Sequence, residues 1–159
     1  MSKQVKKVDK ADHARNRRLL RMYGITLAEY YDMLGLQGNA CAICHREARK
    51  LSLSVDHSHK YRYLKVISIN GKNGWKAYCE DLPKVSAKGK TKSEAIQRVR
   101  QQLKRLSVRG ILCFSCNSGL RKYGDDPDRM ASASQYLYKH RERMKQWRSK
   151  KLRLKKSGR

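Results

Sequence analysis

Two Cys-x-x-C pairs, Cys41-Ala42-Ile43-Cys44 and Cys113-Phe114-Ser115-Cys116, constrain this chain more than any other feature. Two residues between thiolates let one tight turn aim both sulfurs at a single ion. Two such pairs therefore predict a closed, tetrahedral zinc site with four sulfur ligands. His45 follows Cys44 directly, but four sulfurs already fill a tetrahedron, so it reads as a knuckle residue. The cysteine count is five, an odd number that fits a reducing compartment better than a disulfide framework. Cys79, left over, reads as a core residue of a strand. Paired knuckles usually stand about 15–20 residues apart, and here the gap is several times longer. Something is expected to be inserted between two halves of one small domain.

The segments around the knuckles have readable grammar. From Asp9 or Asp12 to Tyr23 the sequence reads as a short, very basic helix stopped by Gly24. Thr26 with Glu29 three residues later is a capping-box signature for a second helix, LAEYYDMLGL. Leu51 to Val55 alternates with period two and predicts a strand running into Asp56 and His57, with Val108 to Leu112 as its returning partner. NSGLRKYG after Cys116 reads as a short helix, and Asp126-Pro127 as the cap and first residue of a last helix ending near Trp147. RSKKLRLKKSGR then reads as a basic tail, and residues 1–8 as a basic arm.

Between the strands, YLKVISI, WKAYCEDL and KVSAKG read as three short strands. A helix from Thr91 or Ser93 follows, with Ile96, Val99, Leu103 and Leu106 as its apolar stripe. Such a unit can bury one sheet face by itself, so residues 60–106 are expected to form a subdomain. The resulting fold class is α+β: a zinc-bound ββα core with flanking helices, spanning 1–59 and 107–138. A small sheet-plus-helix insert splits it, and residues 139–159 are a basic helix end and tail.

Lys and Arg number 39 against 13 Asp and Glu, a formal net charge of +26. Self-repulsion at that charge opposes compaction, so a polyanionic partner is expected, nucleic acid first and an anionic membrane second. No window approaches the roughly 18 apolar residues of a membrane span and no signal peptide is recognised. A soluble, cytoplasmic protein that binds DNA rather than membrane is expected. The basic positions expected to meet phosphates are Arg17 and Arg18 in the first helix, Arg109, Arg121 and Lys122 around the second knuckle, and Lys88, Lys90 and Arg98 in the insert. Trp75 is expected to pack, and His13 and His140 to lie on the surface.

Folding the insert away brings chemistry together. Zinc closing on four thiolates would set the helix after Cys116 beside the end of the Asp56-His57 strand. Asp56 and Asn117 could then share a hard divalent ion through oxygen, and His57 could act on a water as general base. That combination suits phosphodiester hydrolysis.

CAIC, VDHSH and RGILCFSCNSGL followed by YGDDPDRM resemble the phage recombination endonuclease VII family of HNH (His-Me finger, ββα-metal) nucleases, and YGITLAEYYDML resembles the helix that family carries before the first knuckle. The likeness covers residues 20–59 and 107–138. It implies Asp56 and Asn117 as Mg²⁺ or Mn²⁺ ligands, His57 as general base, His59 as a catalytic helper and Cys41, Cys44, Cys113 and Cys116 as structural zinc ligands. It further implies 5′-phosphate and 3′-hydroxyl products from duplex, nicked or branched DNA such as four-way junctions. A homodimer is also implied, in the host cytoplasm if the gene belongs to a phage. The catalytic loop, a few residues in that family, is here the whole 60–107 segment. Within it, GWKAYCEDLPKVSAKGKTKSEAI resembles HicB-type antitoxin domains. A homing-type nuclease and a non-catalytic zinc DNA-binding protein remain the competing readings.

Overall fold

The computed structural model describes residues 10–48 and 53–157. The expected basic arm at residues 1–8 and the first two residues of the expected strand, Leu51 and Ser52, lie outside them. The chain is a mixed α+β protein that divides into two compact units, Met1–Asn117 and Ser118–Arg159. No described helix is long and apolar enough to cross a membrane.

In the first unit, helix α1 (Lys10–Tyr23) and helix α2 (Leu27–Leu36) meet at a turn built by its own sequence. The Glu29 backbone N–H donates to Thr26 Oγ1 at 3.2 Å and the Thr26 N–H donates to Glu29 Oε2 at 2.8 Å, the reciprocal box expected of T-x-x-E. Leu19, Ile25, Tyr30 and Leu34 of this pair are buried against Val55 and Ile111. Those last two residues come from strands β1 (Leu53–His57) and β5 (Val108–Cys113), which pair antiparallel.

The chain between these strands forms a second core. A 3-10 turn at Lys60–Tyr63 leads into a meander of β2 (Val66–Gly71), β3 (Gly74–Cys79) and β4 (Ser86–Gly89), which is covered on one face by α3 (Lys92–Ser107). Thr91 caps α3, its Oγ1 accepting from the Glu94 N–H at 3.2 Å. Ala77 and Cys79 of β3 pack on Ala95, Val99 and Leu103, with Trp75 half-buried beside them. The expected apolar stripe of α3 needs one correction. Leu106 is 51% exposed, while Ala95 and Ser107 are buried with Val99 and Leu103. Ser107 is the last residue of the helix and β5 begins at Val108, so the last turn is aimed by the strand it enters.

Helix α3 is also tied to the chain of the first two helices. Lys104 Nζ donates to the Arg21 carbonyl at 2.8 Å, and Arg105 is paired with Glu29. Gly24 lies at the seam with φ +73°, and a Cβ there would stand 2.6 Å from the Gln101 carbonyl oxygen. Both the left-handed turn and the close backbone approach demand glycine.

Helix α4 (Phe114–Lys122) starts one residue after Cys113, earlier than the NSGL start read from sequence. The second Cys-x-x-C is therefore a strand end joined to a helical turn, and Asn117 is the fourth residue of that helix rather than its head. In the second unit, α5 (Pro127–Ser157) is capped by Asp126, whose Oδ1 accepts from the Asp128 and Arg129 N–H groups at 2.9 and 3.2 Å. The expected tail is helical through Ser157. Lys, Arg and Leu are good helix formers, and no Gly or Pro interrupts the segment before Gly158.

Candidate active site

The first knuckle is a tight hairpin. Cys41 N–H donates to the Arg46 carbonyl at 3.0 Å, His45 N–H returns to the Cys41 carbonyl at 2.9 Å, and Ala40 bridges Glu47. His45 takes φ +56°, the left-handed conformation that lets the chain reverse. It is a knuckle residue, as expected. The second pair uses helical spacing, since residues three apart share a helix face. The four ligand atoms of Cys41, Cys44, Cys113 and Cys116 all lie within 4.8 Å of one another. Cys44 Sγ stands 3.8 Å from Cys113 Sγ. Sulfurs ~2.3 Å from a tetrahedral zinc would be ~3.8 Å apart, so the donor set and the spacing fit that ion.

Arg46, which no motif in the sequence marks, organises this cluster. Its Nε donates to Cys44 Sγ at 3.3 Å, and an Nη reaches toward Cys113 Sγ at 4.0 Å. The Arg46 hydrogen bond brings the Cys44 thiol down to about 6, while burial pushes Cys116 up to about 12. A thiolate-ready sulfur at one corner is thus opposed by a reluctant one. A bound metal overrides that difference, since coordinated thiols are deprotonated.

The open end of the β1–β5 ladder carries the other candidate residues. Ser54, Val55 and Asp56 pair with Leu112, Ile111 and Gly110, but His57 pairs with Val108. Arg109 is therefore the extra residue of a bulge. Its guanidinium grips Asp56 with both teeth, Nε to Oδ2 and Nη2 to Oδ1, each at 2.8 Å. Asp56 is buried, and the Arg109 side chain is about a third exposed. Bulges beside active sites commonly re-aim a side chain in this way. Arg109, expected as a DNA contact, is thus held first by the carboxylate of the expected metal site.

His57 packs edge-on against Tyr23 with ring centroids 5.2 Å apart, and His59 is tilted against it at 4.7 Å. Tyr23, the last residue of α1, had no signal in the sequence beyond being aromatic. Asn117 lies half-buried, one residue beyond Cys116. The ladder sets the carboxylate beside Gly110, three residues before the first cysteine of that knuckle. Arg17, Arg18, Arg121, Lys122, Lys88, Lys90 and Arg98 are all exposed. Arg98 is also engaged locally, with Glu94 at 2.6 Å and the Lys88 carbonyl at 2.7 Å.

Comparison with known proteins adds a family. The family described as recombination endonuclease VII matches residues 16–139. The Gene 59 protein of Mycobacterium phage D29 is 31% identical over 91 residues, covering 54% of this chain and 55% of that protein. The Gene 59 protein of Mycobacterium phage L5 is 50% identical over 44 residues, 27% of each chain. The chain spans about half the length, or less, of these curated relatives. No solved structure matches it.

Proposed function

The chain belongs to the recombination endonuclease VII family, and from that membership we propose that it is a metal-dependent DNA endonuclease of the HNH, ββα-metal type. The observation that carries the reading is the ladder itself. One strand ends in Asp56-His57, and its partner carries Arg109 and then delivers Cys113 into the four-cysteine cluster. A zinc ion held there would clamp the strand–helix junction that positions Asn117. The Asp56 carboxylate and Asn117 carboxamide are hard oxygen donors, the chemistry that Mg²⁺ or Mn²⁺ prefers. When bound, such an ion supplies Lewis-acid neutralisation of the scissile phosphate and of the leaving oxygen.

His57 is assigned the general base, taking the proton of the water that attacks phosphorus. Its ring is oriented by the T-shaped contact with Tyr23 and by His59, which makes His59 a positioning residue. Arg109 holds the Asp56 carboxylate in a fixed orientation. Breakage of the P–O3′ bond leaves 5′-phosphate and 3′-hydroxyl ends. The substrate is DNA, duplex or branched, drawn by the charge of +26. Incubating zinc-loaded protein with supercoiled, nicked and four-way-junction DNA and Mg²⁺ tests this. Cleavage lost in His57→Ala supports it, and intact DNA in every case refutes it.

One observation favours the non-catalytic alternative: both Asp56 oxygens already accept from Arg109. If that pair is purely structural, Mn²⁺ binding will not respond to Asp56→Asn.

A further inference from the structure

Beside His57, the C-terminal turn of α1, the end of β1 and the inserted segment enclose a cavity of about 560 Å³. Its volume lies within the ~300–1,000 Å³ of cavities that hold small organic ligands. Two kinds of surface meet in it. The floor is apolar: Leu103 is buried in the second core, Tyr61 packs against that core, and Met22 stands half-exposed at the mouth. The walls carry Arg21, Arg62, Arg100 and Lys104, and no carboxylate lines the cavity among the described residues. Arg100 donates to the Leu64 carbonyl at 2.9 Å and Lys104 to the Arg21 carbonyl at 2.8 Å, which fixes two of these cations against backbone. Arg21 and Arg62 are exposed.

An apolar floor under uncompensated cations is complementary to a nucleotide, which presents a flat base and flanking phosphates. We propose that this cavity receives a nucleotide unpaired from its DNA strand, next to the bond addressed by His57. Its base lies on Met22 and Tyr61 above the buried Leu103, and its phosphates meet Arg21 and Arg62. A paired base enters such a cavity only by unstacking, and that cost is smallest for a base already unpaired. The insert supplies Tyr61, Arg62, Arg100, Leu103 and Lys104, so it acts as one wall of a substrate-selecting pocket rather than as a remote DNA-binding platform. The inference rests on the endonuclease reading for its substrate, while the pocket itself is tested by binding.

The test uses the full zinc-loaded chain without added Mg²⁺ or Mn²⁺. Two duplexes are compared, identical except for one extra unpaired 2-aminopurine nucleotide. The unpaired form is expected to bind about tenfold more tightly, the scale of stacking one base on an aromatic side chain. Its fluorescence should change on binding. Met22→Trp, which fills the mouth, and Arg62→Gln, which removes a phosphate partner, should each lower the affinity ratio by about threefold or more. Unchanged circular dichroism and zinc content would report intact folding. A wild-type ratio of one, or a ratio unmoved in both variants, overturns the proposal. Adding Mg²⁺ separates the two readings: an intact ratio without cleavage removes the enzyme and leaves the pocket, and cleavage with a ratio of one does the reverse.

Discussion

Arg109 and Asp56 form a bidentate ion pair across the β1–β5 ladder, two hydrogen bonds of 2.8 Å made from a bulge residue to a buried carboxylate. The pair is built asymmetrically, with the acid side 7% and the arginine side 36% exposed. Removing the arginine leaves a buried carboxylate without its partner. Arg109→Ala should therefore destabilise the chain by about 1–3 kcal/mol, discounted from a fully buried pair because water reaches the guanidinium. Arg109→Lys should recover only part of this, since an ammonium cannot match both oxygens. Denaturant unfolding of the three proteins checks the order. Under the proposed metal role of Asp56, Mn²⁺ titration followed by electron paramagnetic resonance should show tighter binding in Arg109→Ala, because a competitor for the same oxygens is gone.

Zinc removal should lower the melting temperature by about 10 °C or more, a loss of several kcal/mol in a chain of this size. Far-ultraviolet circular dichroism should fall only in part, because the buried clusters around Leu34 and Leu103 contain no zinc ligand. This differs from the complete collapse that a chain without such cores would show. An unchanged melt after a strong chelator would contradict a structural metal.

The metal-free thiols should differ in reactivity. Cys44, brought down to about 6 by its hydrogen bond from Arg46, should be alkylated by iodoacetamide at pH 7 well before Cys116, which burial pushes up to about 12. The Cys44 pKa is depressed in the folded chain, so its contribution is present above the ordinary value of 9 and is lost as pH falls through about 6. Arg46→Ala should return Cys44 toward ordinary reactivity, as read by the pH dependence of alkylation mapped by mass spectrometry.

Two leucines near the end of α3 should behave oppositely. Leu103→Ala removes a side chain 2% exposed and should cost about 2–5 kcal/mol. Leu106→Ser, at a position 51% exposed, should stay within about 0.5 kcal/mol of the parent. Chemical denaturation distinguishes the two.

Local grammar made much of this legible in advance. The two Cys-x-x-C pairs, the Thr26–Glu29 box and the Asp126-Pro127 cap each act over a few residues, and each recurs in the structure. What escaped depends on distant chain. Leu106 fits a helical stripe, but where the stripe ends is set by Ser107 turning into β5. The pairing of Arg109 with Asp56 needs a bulge, which alternation of residue types does not reveal. Tyr23 reaches His57 only once α1 is placed against the ladder. The basic run at the end of α5 carries two signals at once, charge that suits a tail and residue types that favour helix, and the helix prevails through Ser157.

The most direct test compares the parent and His57→Ala, both zinc-loaded and folded, on supercoiled and four-way-junction DNA with Mg²⁺. The parent should cleave, and the variant should bind comparably but cleave about 10²–10⁴-fold more slowly, the usual worth of a positioned general base. Equal cleavage by the two proteins, or none by the parent, would contradict His57 as the catalytic base of a DNA endonuclease.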